Sequence, residues 1–246
     1  MSWNNYKDKV NRYFGFSKVE LNNFIVTVLI FAFMFSFTQW GAVEFDAQEG
    51  VRNLIGAILI VGVSLFIHHG AQRLLGLWYG YRIEHRIWWT GLLIGLLALM
   101  LSNGRAVIFA ATGMRAHFMP AHRLGTFRYG PSLRQIGAVA FSGPIAMVLI
   151  AFLLYAITPS FFVNYLTFNL LFALYNMLPI PPLDGLQVFV GTRVSIGGIF
   201  AYTFTVSAFA GFVLVFFFGG FSFLISLLLA FLVGIAGWFT FDSLLK

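Results

Sequence analysis

Apolar positions along this chain fall into long unbroken runs, and those runs, more than any amphipathic period, predict the elements. Leu21–Val43 carries no charge, and Asn53–Gln72 is likewise uncharged up to Arg73. Each is long enough to cross a hydrocarbon layer ~30 Å thick. Ile136–Ile157 and Phe161–Leu178 are two further runs, joined by the turn Thr158-Pro159-Ser160, and Ile196–Phe218 and Phe221–Phe241 are two more, parted by Gly219 and Gly220. Only the start of the chain is amphipathic: Trp3, Tyr6, Val10, Tyr13 and Phe14 recur at helical spacing among Lys7, Asp8, Lys9 and Arg12. That pattern predicts a helix lying on a membrane surface. Three regions follow: an interfacial helix over 1–20, a membrane core over 21–193 and a helical hairpin over 194–246.

The middle is less regular. YRIEHRIWW, Tyr81–Trp89, reads as chain emerging at the headgroup level. Ile87–Ser102 is short for a span and breaks at Asn103-Gly104, after which Ala106–Met114 runs back. Arg115–Arg134, with Pro120, Gly125, Gly130 and Pro131, predicts a surface loop.

Composition narrows the class. With 60% hydrophobic and 9% charged residues, no soluble class fits. The expected fold is an all-α polytopic membrane protein of about six transmembrane helices, with a re-entrant or extended membrane-embedded segment between the second and third. If 87–114 dips in and returns, every Lys and Arg except Arg52 falls on one side, as short cytoplasmic loops prefer. Both termini are then expected to be cytoplasmic. The first apolar run is too long for a signal-peptide core, so no cleavage is expected. The net charge of +7 comes without a basic cluster interleaved with aromatics, so membrane lipids and not nucleic acid are the expected contacts. The absence of cysteine excludes disulfides and thiolate metal sites. The phenylalanines of the last two runs read as lipid-facing bulk.

Candidate chemistry sits in SLFIHHGAQR, Ser64–Arg73. His68 and Gln72, four apart, share a helix face, while His69 is turned about 100° from His68. At ~1.5 Å per residue, His68 lies ~22 Å along from Asn53, still inside the hydrocarbon. Irregular backbone at that depth must pack on protein or line a wet cavity. The stretch PIPPLDG, Pro179–Gly185 within NMLPIPPLDG, and the re-entrant piece over 87–114 therefore both point to one internal site. An H-E-x-x-H helix holds zinc with two imidazoles and uses the glutamate as base. Here the lettering is H-H-G-A-Q.

Together with Asn176, Pro179, Pro181, Pro182, Leu183, Asp184 and Gly185, and with Gly143, Pro144 and Ala146 in FSGPIA, this sequence resembles the site-2 protease family of intramembrane zinc metallopeptidases. It looks like the prokaryotic, chiefly archaeal, branch, which implies a prokaryotic cytoplasmic membrane. The resemblance covers roughly Leu21–Arg193 and includes Gly80 after the zinc helix. It implies His68 and Asp184 as metal ligands, with Gln72 at the place of the second histidine, His69 at that of the general-base glutamate and Met147 at that of an asparagine. It also implies that Ile108–Phe118, with Gly113 and Met114, is an extended edge that receives substrate, with Asn176 either in the site or capping a helix end. His85, His117 and His122 are expected at the surface, and Glu84 in a local ion pair with Arg82 and Arg86.

A glutamine carbonyl is a weak zinc ligand, and loss of a positioned base costs ~10² to 10⁴ in rate. The expectation is thus a catalytically impaired relative that binds transmembrane segments or membrane-proximal strands of other proteins, with zinc doubtful. Two rivals stand beside it: a working metallopeptidase using His69 and Gln72, and a small transporter or proton path through His68, His69 and Asp184.

Overall fold

The computed structural model describes residues 3–41, 44–119, 132–192, 196–214, 216 and 222–244. The chain is mostly helical. Helix α1 (Trp3–Tyr13) precedes α2 (Lys18–Ser36), α3 (Ala47–Tyr79), strand β1 (Tyr81–Ile87), α4 (Trp89–Leu101) and strand β2 (Thr112–Phe118). Then come α5 (Leu133–Ile157), α6 (Pro159–Asn176), α7 (Asp184–Thr192), α8 (Ile196–Val213) and α9 (Phe223–Leu244). Among the described residues, α2, α3, α5 and α9 are long and apolar enough to cross a membrane. The other two expected runs are the helices α6 and α8. Expectations that fall on Ala42, Val43, His122, most of the basic loop, Arg193, Gly219 and Gly220 lie outside the described residues.

Helix α2 starts at a capping box: the Ser17 hydroxyl accepts from Glu20 N at 3.2 Å and the Glu20 carboxylate accepts from Ser17 N at 2.9 Å. Asp46 caps α3 by accepting from the N–H groups of Gln48 and Glu49. At 33 residues, α3 is ~50 Å long, far more than a ~30 Å hydrocarbon layer needs. It does not stop at Arg73 as the uncharged run suggests, but continues to Tyr79. Gly80, at φ +88°, ends it in the left-handed region that glycine tolerates best.

The all-α expectation needs one correction. β1 and β2 pair antiparallel from Tyr81↔Phe118 to Ile87↔Thr112. β2 falls within the extended segment expected from the sequence, whereas β1 lies in the stretch expected only to emerge at the headgroup level. Its strand signal is the period-two burial of Tyr81, Ile83 and His85 against outward Arg82, Glu84 and Arg86. Because the strands lie side by side, the chain leaves the sheet at Ile87 and returns beside it at Thr112, so α4 is an excursion that ends where it began.

The apolar core is built largely of rings. Phe31, Phe109, Phe168 and Phe172 are fully buried; Phe168 and Phe172 stack, and the other contacts among them are edge to face, with centroids 5.2 Å apart for Phe31 and Phe109 and 5.0 Å for Phe109 and Phe168. The later phenylalanines are not all lipid-facing. Phe212 is buried against Phe152 and Phe223, because α8 packs inward. Tyr202 on α8 donates its hydroxyl to the Met177 carbonyl at 2.7 Å, tying that helix to the end of α6.

Candidate functional site

Helix α3, the start of α7, the end of α6 and the β1–β2 sheet meet at a buried polar cluster. His68 and Gln72, one turn apart on α3, are both fully buried, as are Asn176 and Asp184. Asp184 is the first residue of α7, where the helix dipole favours a negative side chain. Its Oδ2 accepts from His68 Nε2 at 3.0 Å, from Gln72 Nε2 at 2.7 Å and from Asn176 Nδ2 at 2.7 Å. Its Oδ1 faces the backbone N–H of Met114 at 3.3 Å. A buried carboxylate is costly without such donors, and here the protein itself supplies them.

The amide of Gln72 has only one workable orientation. Its nitrogen lies 3.0 Å from the Ala140 carbonyl as well as 2.7 Å from Asp184 Oδ2, and an oxygen there would oppose two acceptors. Gln72 Oε1 therefore faces His85 Nε2 at 2.7 Å, which makes that nitrogen the N–H donor and leaves Nδ1 as a lone pair. Burial pushes the His85 imidazole down to about 3, so at neutral pH it carries this single proton. His85, expected at the surface, is in fact buried in the site. The reason is strand parity, since β1 turns every second side chain inward.

His69 points elsewhere. Its ring stacks on His85 with centroids 3.6 Å apart and packs edge-on against Phe24. Neither of its nitrogens has a hydrogen-bond partner among the described residues. The remaining expected residues frame the cluster. The lack of a side chain at Gly143 lets α5 approach, because a Cβ there would come 2.7 Å from His68 Cε1 and 2.9 Å from Gln72 Nε2. Gly113 lies against the backbone of Pro182. The outward backbone groups of Met114 are taken up by Asp184 and by Gln187, whose amide donates to the Met114 carbonyl at 2.8 Å. Met147 is buried in the apolar core and brings no polar group. Asn176 bonds into the site. His117 is half exposed, 3.5 Å from Glu84, and Arg82 lies 3.9 Å from the same carboxylate.

A second polar knot braces the first. Arg73, on the turn after His69, is buried and paired with Glu20; it also donates to the carbonyls of Phe14 and Gly15 at 2.9 Å each. Its guanidinium lies 4.1 Å from the centre of the Phe16 ring. Glu20 in turn accepts from His85 N at 3.2 Å. One carboxylate thus caps α2, neutralises Arg73 and terminates the outer edge of β1. The S-x-x-E spacing of Ser17 and Glu20, which carries the cap, does not enter the expectations drawn from the sequence, and nothing local signals the partner on α3.

No family model matches this chain, and no solved structure does. Over 184 residues, 71% of this chain and 85% of the relative, it is 27% identical to a protein of Methanocaldococcus jannaschii named "Putative zinc metalloprotease". That likeness relates the chain to metalloproteases. Zinc, which the relative's name carries, does not fit the donor set seen here. Among the described residues no three His, Cys, Asp or Glu side chains converge on one point, and Gln72 turns its nitrogen, which cannot ligate, toward Asp184.

Proposed function

We propose that this chain is a metalloprotease-like membrane protein of the site-2 type that has given up metal-dependent cleavage and works by binding transmembrane segments of other proteins. The observation that carries the reading is the occupancy of Asp184 Oδ2 by three protein donors, among them the Gln72 amide at the position of a second histidine. In a zinc site that oxygen would face the metal. Here the hydrogen bonds do the metal's structural work, holding α3, α6 and α7 together around one carboxylate. His69, at the general-base position, is stacked on His85 and does not hydrogen-bond to the carboxylate.

In this reading α4 and the return to β2 form the re-entrant segment, and six helices cross the membrane with both termini on the basic side. β2 pairs on one edge with β1. Its other edge, engaged at Met114 by Asp184 and Gln187, offers an incoming strand the positions toward Phe118.

The test uses the full chain in lipid nanodiscs with a single-span peptide. A photo-crosslinker at His117, exposed on β2, is expected to capture the peptide intact, with zinc well below one per chain. Stoichiometric zinc that is lost on His68→Ala, together with peptide cleavage, would overturn the reading in favour of a working peptidase.

A further inference from the structure

The two-stranded sheet has two unlike faces. Tyr81, Ile83 and Met114 are buried on the inner one, while Arg82, Glu84 and Arg86 of β1 and Arg115 and His117 of β2 stand on the other, exposed or half-buried. Pairing sets Arg82 opposite His117, Glu84 opposite Arg115 and Arg86 opposite Gly113. The outer face is left with a surplus of positive charge. Its one carboxylate, Glu84, lies 3.5 Å from His117 and 3.9 Å from Arg82, and Arg115 has no ion-pair partner among the described residues.

No counter-charge stands nearby in the chain. Arg86, Arg105, Arg115, Arg123, Arg128 and Arg134 follow one another between Glu84 and Asp184 without an acidic residue. Other carboxylates are engaged: Asp8 with Arg12, Glu20 with Arg73, and Asp184 in the buried cluster. Glu44, Asp46 and Glu49 lie before or within the first turn of α3, whereas β1 follows its last.

Arg115 also sits on the strand with a free edge. The N–H and C=O of Met114 turn away from β1, toward Asp184 and Gln187, so ladder alternation turns those of Ala116 and Phe118 the same way. No described residue bonds to either. A strand laid along this edge sets alternate side chains beside Ala116 and Phe118 on the inner face and beside Arg115 and His117 on the outer one. A second copy of β2 is a poor occupant, because Thr112–Phe118 contains no carboxylate and would bring basic strand beside basic strand. An anionic lipid surface would draw on Arg82 and Arg86 as much as on Arg115. The open backbone groups flanked by Arg115 and His117 favour a strand.

We propose that the strand received by β2 is acidic along one side. Its apolar residues turn inward beside Ala116 and Phe118, and the carboxylates that alternate with them pair with Arg115 and lie beside His117. This rests on the reading that β2 binds a strand of another protein, and adds the chemistry by which that strand is chosen.

The experiment uses the full chain in phosphatidylcholine nanodiscs with a photo-crosslinker at Phe118, 40% exposed at the end of β2, so that Arg115 and His117 stay in place. Two single-span peptides are compared that differ only in a membrane-proximal stretch, where valine alternates with glutamate in one and with lysine in the other. The glutamate peptide is expected to reach half-maximal capture at about 5-fold lower concentration than the lysine peptide. Arg115→Gln should raise that concentration about 3-fold for the glutamate peptide, the size of one opposite-charge pair between neighbouring strands. Arg115→Glu should reverse the order of the two peptides, and Arg52→Gln, exposed near the start of α3, should leave it unchanged. Equal capture of both peptides, or a preference for glutamate that survives Arg115→Glu, would overturn the inference and leave strand binding standing. Capture of neither would overturn both. A preference abolished by phosphatidylglycerol in the discs would assign the face to lipid headgroups, and a crosslink between two chains would assign the edge to a second copy; either result overturns the proposal.

Discussion

Gln72 Nε2 lies 2.7 Å from Asp184 Oδ2, although the two residues are 112 positions apart in the chain. A neutral amide thereby helps to hold the buried carboxylate at the centre of this site. The direction of that amide also sets the tautomer of His85.

If the proposed reading is right, supplying the missing ligands should supply a metal site. His69→Glu combined with Gln72→His recreates the H-E-x-x-H spacing, with His68 and Asp184 already in place. We expect the purified double variant to carry close to one zinc per chain by elemental analysis, and the unaltered protein far less. Asp184→Ala added to the double variant should remove the metal again.

Removing the carboxylate alone should be costly for stability. Asp184→Ala leaves donors from His68, Gln72 and Asn176 without their acceptor, and each buried orphan costs about 1–3 kcal/mol. A loss of more than about 3 kcal/mol is expected in chemical denaturation in detergent. Asp184→Asn keeps one acceptor oxygen and should lose less.

Gly143→Ala tests how closely α5 must approach. The added Cβ would press on His68 and Gln72, and overpacking of this kind costs about 1–3 kcal/mol. Gly56→Ala, where a Cβ meets nothing within 4 Å, is the control and should be neutral within about 0.5 kcal/mol. Thermal midpoints of the two variants give the comparison.

The Glu20 and Arg73 pair should show strong coupling. Breaking a buried pair from one side leaves an uncompensated charge and costs about 3–5 kcal/mol. Glu20→Gln and Arg73→Met are each expected to destabilise by about that amount, and the double variant by clearly less than their sum. Arg73→Met should also loosen the N-terminal segment, since it gives up the carbonyls of Phe14 and Gly15. Faster proteolysis near Gly15 would report that.

Much of this architecture was legible in the chain because its signals are local. Long uncharged runs must be helices where backbone groups cannot reach water. Three prolines between Pro179 and Pro182 must interrupt them. Four-residue spacing put His68 and Gln72 on one helix face before any fold was known, and the irregular backbone of the re-entrant piece and of PIPPLDG pointed to one internal site. The partners themselves were not legible. His85 looked superficial because its charged neighbours outweighed the strand alternation that turns it inward, and a strand shows its inner face only once β2 lies beside it. Arg73 looked like the end of a span, since nothing near it in sequence could neutralise it; its counter-charge came from Glu20, 53 residues away. The sequence by itself determined which side chains share a face and where the backbone must break. Only the tertiary structure decided which way the Gln72 amide turns, because that depends on two acceptors, Ala140 O and Asp184 Oδ2, brought in by separate helices.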